Sequence, residues 1–474
     1  MRSADCALAL TCLALACGSN QSNPHAPNAN GGQAGEASGG AGGNETPDTP
    51  PTFTAAELRE LRKLAPGTLP AAPADPTNRF ADDPKAAALG QRLFFEPGFS
   101  GALLDGDNDG SPNALGAQGE TGKVSCAGCH VPAAGFLDNR TLGKQISLAA
   151  GWGKRRAPSL LDVRQARLLM WDGRHDTLYN QPFGPLESPV EMNSSRLYVA
   201  ERVFAAYRAE YEAVFGTMPP LDDAQRFPAL SAELTGCDRS STCAAHGIPG
   251  DKAEFDGMSA ADQDAVTRVV ANLGKALGAY ERLLDCGTGR FDAWMAGDEK
   301  ALSASEQRGA QLFIGPGQCV NCHSGPFMSD QQFHNVGLQP ATVAVVFIDQ
   351  NDGGASLGLA AALADPLNSL GKFSDGDDGR LPAAVPTEML GAFRTPTLRC
   401  VARRPTFMHT GQVKTLAEVV AFFTRGGDHF GFLGVNELAK LPFTPEQEQD
   451  LVAFLGTLEG PGPAAELLVE PARR

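Results

Sequence analysis

Two short runs decide the reading of this chain: Cys126-Ala127-Gly128-Cys129-His130 and Cys319-Val320-Asn321-Cys322-His323. Two thiols spaced by two residues can add across the two vinyl groups of a haem, and the adjacent histidine then faces the iron as its axial ligand. A zinc site or a redox dithiol has no need of histidine at that offset, and at this composition roughly 0.004 chance matches to the pattern are expected. The chain therefore reads as the carrier of two covalently bound haem c groups. Cys126, Cys129 and His130 would hold one, and Cys319, Cys322 and His323 the other.

Working outward, each motif follows a similar helical unit. Asp83-Pro84 is a cap residue with proline at the first helical position, and Leu89, Leu93 and Phe94 recur at helical spacing. Ser303-Ala304-Ser305-Glu306 is a capping box that opens a second such run. Gly90-Gln91-Arg92-Leu93-Phe94 and Gly309-Ala310-Gln311-Leu312-Phe313 match as Gly-x-x-Leu-Phe. We read an internal duplication with one haem per copy. Further helical spacing covers Ala260–Ala279, Leu416–Phe423 and Pro445–Leu458, while long β-patterned runs are scarce. The fold class is mainly α: two c-type cytochrome-like haem domains, 53–290 and 291–474.

Ahead of them, residues 18–52 are rich in Gly, Asn, Ala, Pro and Ser and cannot bury enough apolar surface to fold, so they read as a flexible linker. Residues 1–17 read as an export signal, since Arg2 precedes an apolar run, Ala7–Ala16, too short to span a bilayer. The run ends at Cys17, a loose match to a lipoprotein cleavage site, which leaves lipid anchoring and simple cleavage both open. A periplasmic or cell-envelope location is expected. The 11 cysteines include four outside the signal and the haem motifs: Cys237, Cys243, Cys286 and Cys400. In an exported chain an even remainder points to disulfides. Cys237 with Cys243 and Cys286 with Cys400 is one of three pairings, and free buried thiols are the alternative. A net charge of −16 argues against nucleic acid and against an anionic membrane surface as partners.

Around both motifs the chain resembles the bacterial di-haem cytochrome c peroxidases and their MauG-type relatives, over roughly residues 80 to 460. The resemblance is carried by Arg156-Ala-Pro-Ser-Leu160, Met170-Trp-Asp-Gly-Arg174, Gln181-Pro-Phe-Gly-Pro185 and Glu191-Met192. It continues in Phe333-His-Asn-Val-Gly-Leu338, Phe393-Arg-Thr-Pro-Thr-Leu-Arg399 and Phe407-Met-His-Thr-Gly411. It implies that Trp171 lies between the haems and relays electrons. It also implies that Gln181 and Glu191 occupy the distal pocket of the N-terminal haem, which Pro185 shapes. The chemistry is coherent, because O–O cleavage needs a group that carries a proton from one oxygen to the other, as the Glu191 carboxylate can.

Three departures from the family pattern matter. Where many relatives place a histidine that caps the N-terminal iron, this chain has Ile146, so that iron is expected to be open without reductive activation. Where the family places Met or Tyr at the C-terminal haem, this chain has Phe423, which cannot bind iron. An open or water-bound iron is expected there, with Met408 and His429 as substitute ligands to consider. The family's inter-haem calcium positions read Arg156 and Arg404, so loss of that site is expected, with the arginines pairing to haem propionates. Asp105-Gly-Asp-Asn-Asp109 resembles half a calcium loop but lacks its final Glu at Gly116, and reads as a polar surface turn. His175 is expected at the surface, and His334 and His409 as structural.

The expected function is a peroxidase that reduces hydrogen peroxide to water. Its electrons would come from a small redox protein, a cytochrome c or a cupredoxin, and enter at the C-terminal haem. The alternatives are a MauG-type oxidase acting on side chains of a partner protein and a non-catalytic electron carrier.

Overall fold

The computed structural model describes residues 49–67, 69–140, 146–234, 246–340 and 351–472. The export signal, nearly all of the linker and the Cys237–Cys243 pair lie outside the described residues. Eleven α-helices are present among those described: α1 (Ala55–Leu64), α2 (Pro84–Phe95), α3 (Cys126–Cys129), α4 (Phe183–Glu187), α5 (Arg196–Phe215), α6 (Ala260–Glu281), α7 (Arg290–Met295), α8 (Ala304–Ile314), α9 (Ala355–Ala364), α10 (Leu416–Thr424) and α11 (Pro445–Gly456). The only strands among the described residues are β1 (Phe333–His334) and β2 (Phe393–Arg394), paired antiparallel. The chain is mainly helical, as the spacing of its apolar residues indicates.

Local chemistry starts these helices where the sequence signals do. The Asp83 carboxylate accepts from the amides of Lys85 and Ala86 ahead of Pro84. Ser303 accepts from the Glu306 amide and Glu306 answers with its side chain, closing the capping box of α8. Thr415 with Glu418 and Thr444 with Gln447 repeat the device on α10 and α11.

The glycines of the two Gly-x-x-Leu-Phe units have the same task. A Cβ on Gly90 would lie 1.9 Å from the Ala276 carbonyl oxygen, and one on Gly309 would lie 2.0 Å from that of Asp450. Each glycine lets its helix press onto the backbone of another, α2 onto α6 and α8 onto α11. Leu89, Leu93 and Phe94 then enter one core with Phe136, Tyr179, Val266 and Tyr280. Leu312 and Phe313 enter a second with Phe291, Val420, Phe454 and Leu455.

Thr46–Arg474 form one compact unit, and its two cores share chain ends. Leu61, Leu64 and Ala65, at the end of α1, pack into the second core, and the Arg399 guanidinium donates to the Leu64 carbonyl at 2.9 Å. In the other direction, Leu467 and Leu468 pack on the first core, where the Tyr280 hydroxyl donates to the Leu467 carbonyl at 2.6 Å. Cys286 and Cys400 form a disulfide that joins the end of the first half to the second half. No helix among the described residues is long and apolar enough to cross a membrane.

Candidate active site

Both Cys-x-x-Cys-His runs fold into a tight turn that presents the histidine. In the first, α3 ends as the His130 amide donates to the Cys126 carbonyl at 2.8 Å; in the second, the His323 amide donates to that of Cys319 at 2.8 Å. The imidazoles are then fixed alike. His130 Nδ1 lies 3.2 Å from the Phe136 carbonyl oxygen, and His323 Nδ1 lies 2.9 Å from that of Met328. A carbonyl can only accept, so Nδ1 carries the hydrogen and Nε2 keeps its lone pair for iron. Both acceptor residues are non-glycine with left-handed backbone, Phe136 at φ 60° and Met328 at φ 49°. Burial lowers the pKa of both rings, that of His323 to about 4, which keeps them neutral as a metal ligand must be.

The second crevice contains a cavity of about 520 Å³ whose lining includes Cys319, Cys322, His323, Trp171, Met408 and Phe423. Phe423 thus stands at the crevice as a phenyl group. His429, considered above as a substitute ligand, is exposed and is not part of the lining, whereas Met408 is. Arg156, Arg394 and Arg404 also line the cavity. Desolvation pushes the Arg394 and Arg404 guanidinium groups down to about 10, and Arg404 Nε is buried without a hydrogen-bond partner. A cavity with two thiols at one end and desolvated arginines with an orphaned donor fits a haem c, whose free edge carries two acidic groups.

Glu191 lies on the side of the first Cys-x-x-Cys-His turn. Its carboxylate electrostatically raises the pKa of the Cys129 thiol, so the two lie close together. Desolvation raises the pKa of Glu191 itself, opposed by the nearby Arg174 guanidinium. Its backbone is held by Ala150, whose amide donates to the Glu191 carbonyl at 2.8 Å. Ile146, at the expected capping position, is a buried core residue 1% exposed. Pro185 sits in α4, and its carbonyl accepts from the Met192 amide at 2.9 Å.

Met170 and Trp171 lie between Gln181 and the second cavity. The Gln181 amide nitrogen lies 3.4 Å from the Met170 sulfur, while the neighbouring Trp171 lines the second cavity. The Trp171 ring stands 6.5 Å from that of His409, which stacks on Phe393 at 3.7 Å. His409 is buried, and desolvation lowers its pKa to about 3.

Several residues differ from the sequence reading or escaped it. His175 is not at the surface: its side chain is 12% exposed, and a Cβ on Gly184 would lie 2.8 Å from its Nε2. Desolvation lowers its pKa to about 4. The alternating polar segment around it gave no sign that the Gln181–Pro185 loop would cover it. Glu281, on α6, is a second buried carboxyl beside Cys126, raised to about 8 by desolvation alone. It sits in a helical run with no motif around it. Cys322, Asp330 and His334 lie close enough together to hold a metal ion, but a thioether sulfur at Cys322 removes that option. In the Asp105–Asp109 loop, Asp105 and Asp109 accept from the amides of Asp107 and Ser111, and Asp107 accepts from the Trp152 indole. These carboxylates serve the turn itself.

A helical protein with two Cys-x-x-Cys-His turns, each fixing its imidazole for iron, is a di-haem c-type protein. Residues 84–300 match the family model described as di-haem cytochrome c peroxidase. The chain is 28% identical over 400 residues to methylamine utilization protein MauG of Methylorubrum extorquens, covering 83% of this chain and 82% of that protein. It is 28% identical over 402 residues to cytochrome-c peroxidase IdrP1 of Denitromonas iodatirespirans, covering 82% and 86%. The solved structure of the diheme peroxidase BthA from Burkholderia thailandensis aligns with TM-score 0.55 at 25% identity, over 85% of this chain and 94% of that one. The chain is thus similar to the di-haem cytochrome c peroxidases and MauG, through the family match over residues 84–300 and these relatives over most of its length, and it carries two covalently bound haem c groups.

Proposed function

We propose that the protein is an exported di-haem peroxidase that reduces hydrogen peroxide to water. The observation that carries this reading is Glu191, a desolvated carboxyl near Cys129, with the buried Ile146 where the resemblance implies a capping histidine. When bound, the haem of this crevice supplies an iron with an open position for peroxide. Glu191 takes a proton from the near oxygen of peroxide and returns it to the departing one. Gln181 orients the ligand through its amide, and Pro185 shapes the pocket wall. Two electrons from a small redox protein, a cytochrome c or cupredoxin, enter on the His323 side and cross through Trp171. With two protons they convert one peroxide to two waters.

Two further parts of this reading concern origin and place. The equivalent work of Gly90 and Gly309, and of Phe136 and Met328, supports an internal duplication with haem domains at 53–290 and 291–474. The Cys286–Cys400 disulfide supports an oxidising compartment, the periplasm or cell envelope, with Cys17 as a candidate lipid anchor.

The test is peroxide-dependent oxidation of a reduced small cytochrome c or cupredoxin by the purified holoprotein, compared with Glu191→Gln. Absence of turnover, or full turnover in the variant, would overturn the reading. The second reading, a MauG-type oxidase, is supported by the likeness to MauG of Methylorubrum extorquens, while Phe423 stands in place of methionine and tyrosine alike and favours neither reading. It predicts peroxide-driven loss of Trp or Tyr side chains in a partner protein.

A further inference from the structure

One carboxyl in the wall of the second crevice has no part in the mechanism above. Asp162 is 3% exposed and lines the same cavity as Cys319, Cys322 and His323. Its backbone is left-handed at φ 57°, which asparagine and aspartate tolerate better than other side chains. Its amide donates to the Leu284 carbonyl at 2.8 Å, and its own carbonyl accepts from the Gln165 amide at 3.0 Å. The backbone therefore pins this side chain in place.

Both Asp162 carboxylate oxygens are buried without a hydrogen-bond partner. The same holds for Gln165 Nε2, Arg404 Nε and Thr406 Oγ1, and all four residues line this one cavity. Buried polar atoms are nearly always satisfied, so two facing segments of orphaned donors and acceptors mark the place of a polar group. With thioethers at Cys319 and Cys322, the end of haem c opposite them carries its two propionates.

The charged groups that face Asp162 are Arg164, Arg399, Arg404 and Asp285, together with the Cys286 amide, which approaches without closing a hydrogen bond. Two of these cations are already committed, Arg164 to Asp285 at 3.1 Å and Arg399 to Asp292 at 3.0 Å. Arg404 donates to the Thr397 carbonyl at 2.6 Å and has no carboxylate partner among the described residues. Desolvation outweighs these cations and pushes the Asp162 acid up to about 6, within reach of neutral pH.

We propose that Asp162 is the proton acceptor coupled to reduction of the His323-side haem. With the haem reduced, Asp162 is a neutral carboxyl that donates its O–H to a propionate. When the haem gives up one electron to an acceptor, Asp162 releases one proton to water and its carboxylate pairs with Arg404. Reduction reverses both transfers. The proposal rests on haem attachment at Cys319 and Cys322 and not on the direction of catalysis, so it can fail while the peroxidase reading stands.

An electrode-controlled optical titration of the purified holoprotein over roughly pH 5 to 8 tests it. One of the two haem waves should fall by up to about 59 mV per pH unit, the one-electron equivalent of a tenfold change in proton activity. In Asp162→Asn that slope should disappear, with the midpoint equal to wild type at the acid end and above it at the alkaline end. A wild type without slope in either wave overturns the proposal. So does an unchanged slope in the variant, which would assign the proton to a propionate. If the variant takes up no haem, redox-difference infrared spectra of the wild type decide instead. A protonated carboxyl band gained on reduction and shifted in D2O is expected, and its absence overturns the proposal.

Discussion

The indole Nε1 of Trp171 donates to the backbone carbonyl of Arg156 at 2.8 Å. Arg156 is itself tied to both crevices. Its amide donates to the His409 carbonyl at 2.8 Å, and its guanidinium donates to the carbonyls of Asp138 at 3.0 Å and Arg140 at 3.1 Å. In Trp171→Phe the ring is smaller and the Arg156 carbonyl loses its donor, at a cost of about 1–3 kcal/mol. We expect full haem content, with slowed electron transfer from the second haem to the first after peroxide is mixed with reduced protein. Stopped-flow spectra of the two haems check this, and unchanged transfer would remove Trp171 from the route.

Glu191→Gln keeps the shape of the pocket and removes the base. Turnover should fall by about 10²–10⁴-fold while the haem spectra persist. Desolvation raises the Glu191 pKa, so its ionised form is lost at a higher pH than for a free carboxyl. The wild-type rate should therefore rise with pH as Glu191 ionises and decline as pH falls through its raised pKa. The glutamine variant should lack that acid limb, which a pH–rate profile measures directly.

Phe423 lines the second cavity where a ligand was expected. The resting oxidised protein should show a high-spin signal from the His323-ligated haem in electron paramagnetic resonance. Phe423→Met places a thioether there and should convert that signal to low spin and raise the midpoint potential. A wild type with only low-spin haem would point to a ligand from elsewhere in the lining, Met408 first.

Arg156 and Arg404 both line the second cavity, where the resemblance to the di-haem peroxidases implies oxygen ligands for calcium, and guanidinium groups would repel that ion. Metal analysis of the purified protein should find no stoichiometric calcium between the haems, and EDTA should leave both haem spectra unchanged. One tightly held calcium per chain, persisting when Asp105 and Asp109 are changed to Asn, would overturn this.

The Cys286–Cys400 disulfide closes a loop across 114 residues. Cys400→Ser should lower stability by about 2–5 kcal/mol, read in denaturant or thermal unfolding of the holoprotein. Comparable unfolding of wild type and variant would show that the bridge adds little to the packing between the halves.

Much of this protein was decided within short stretches of chain. Cys126–His130 and Cys319–His323 define haem attachment because thioether formation and ligation need only five consecutive residues. The caps at Asp83 and Ser303 start their helices through local side-chain-to-amide bonds, and apolar positions at helical spacing choose the buried face. What tertiary structure alone decided depends on residues far apart in sequence. His175 is buried because Gly184 covers it, Glu281 faces Cys126 because α6 crosses α2, and α1 reaches the second core. Asp162 shows the difference most plainly. A lone aspartate in a loop reads as solvated, yet its desolvation is set by segment 284–286 packing beside it and by Leu161, Gln165, Arg404 and Thr406 meeting it at one cavity. Burial and unmet hydrogen bonds are properties of that convergence, and no local pattern of residues encodes them.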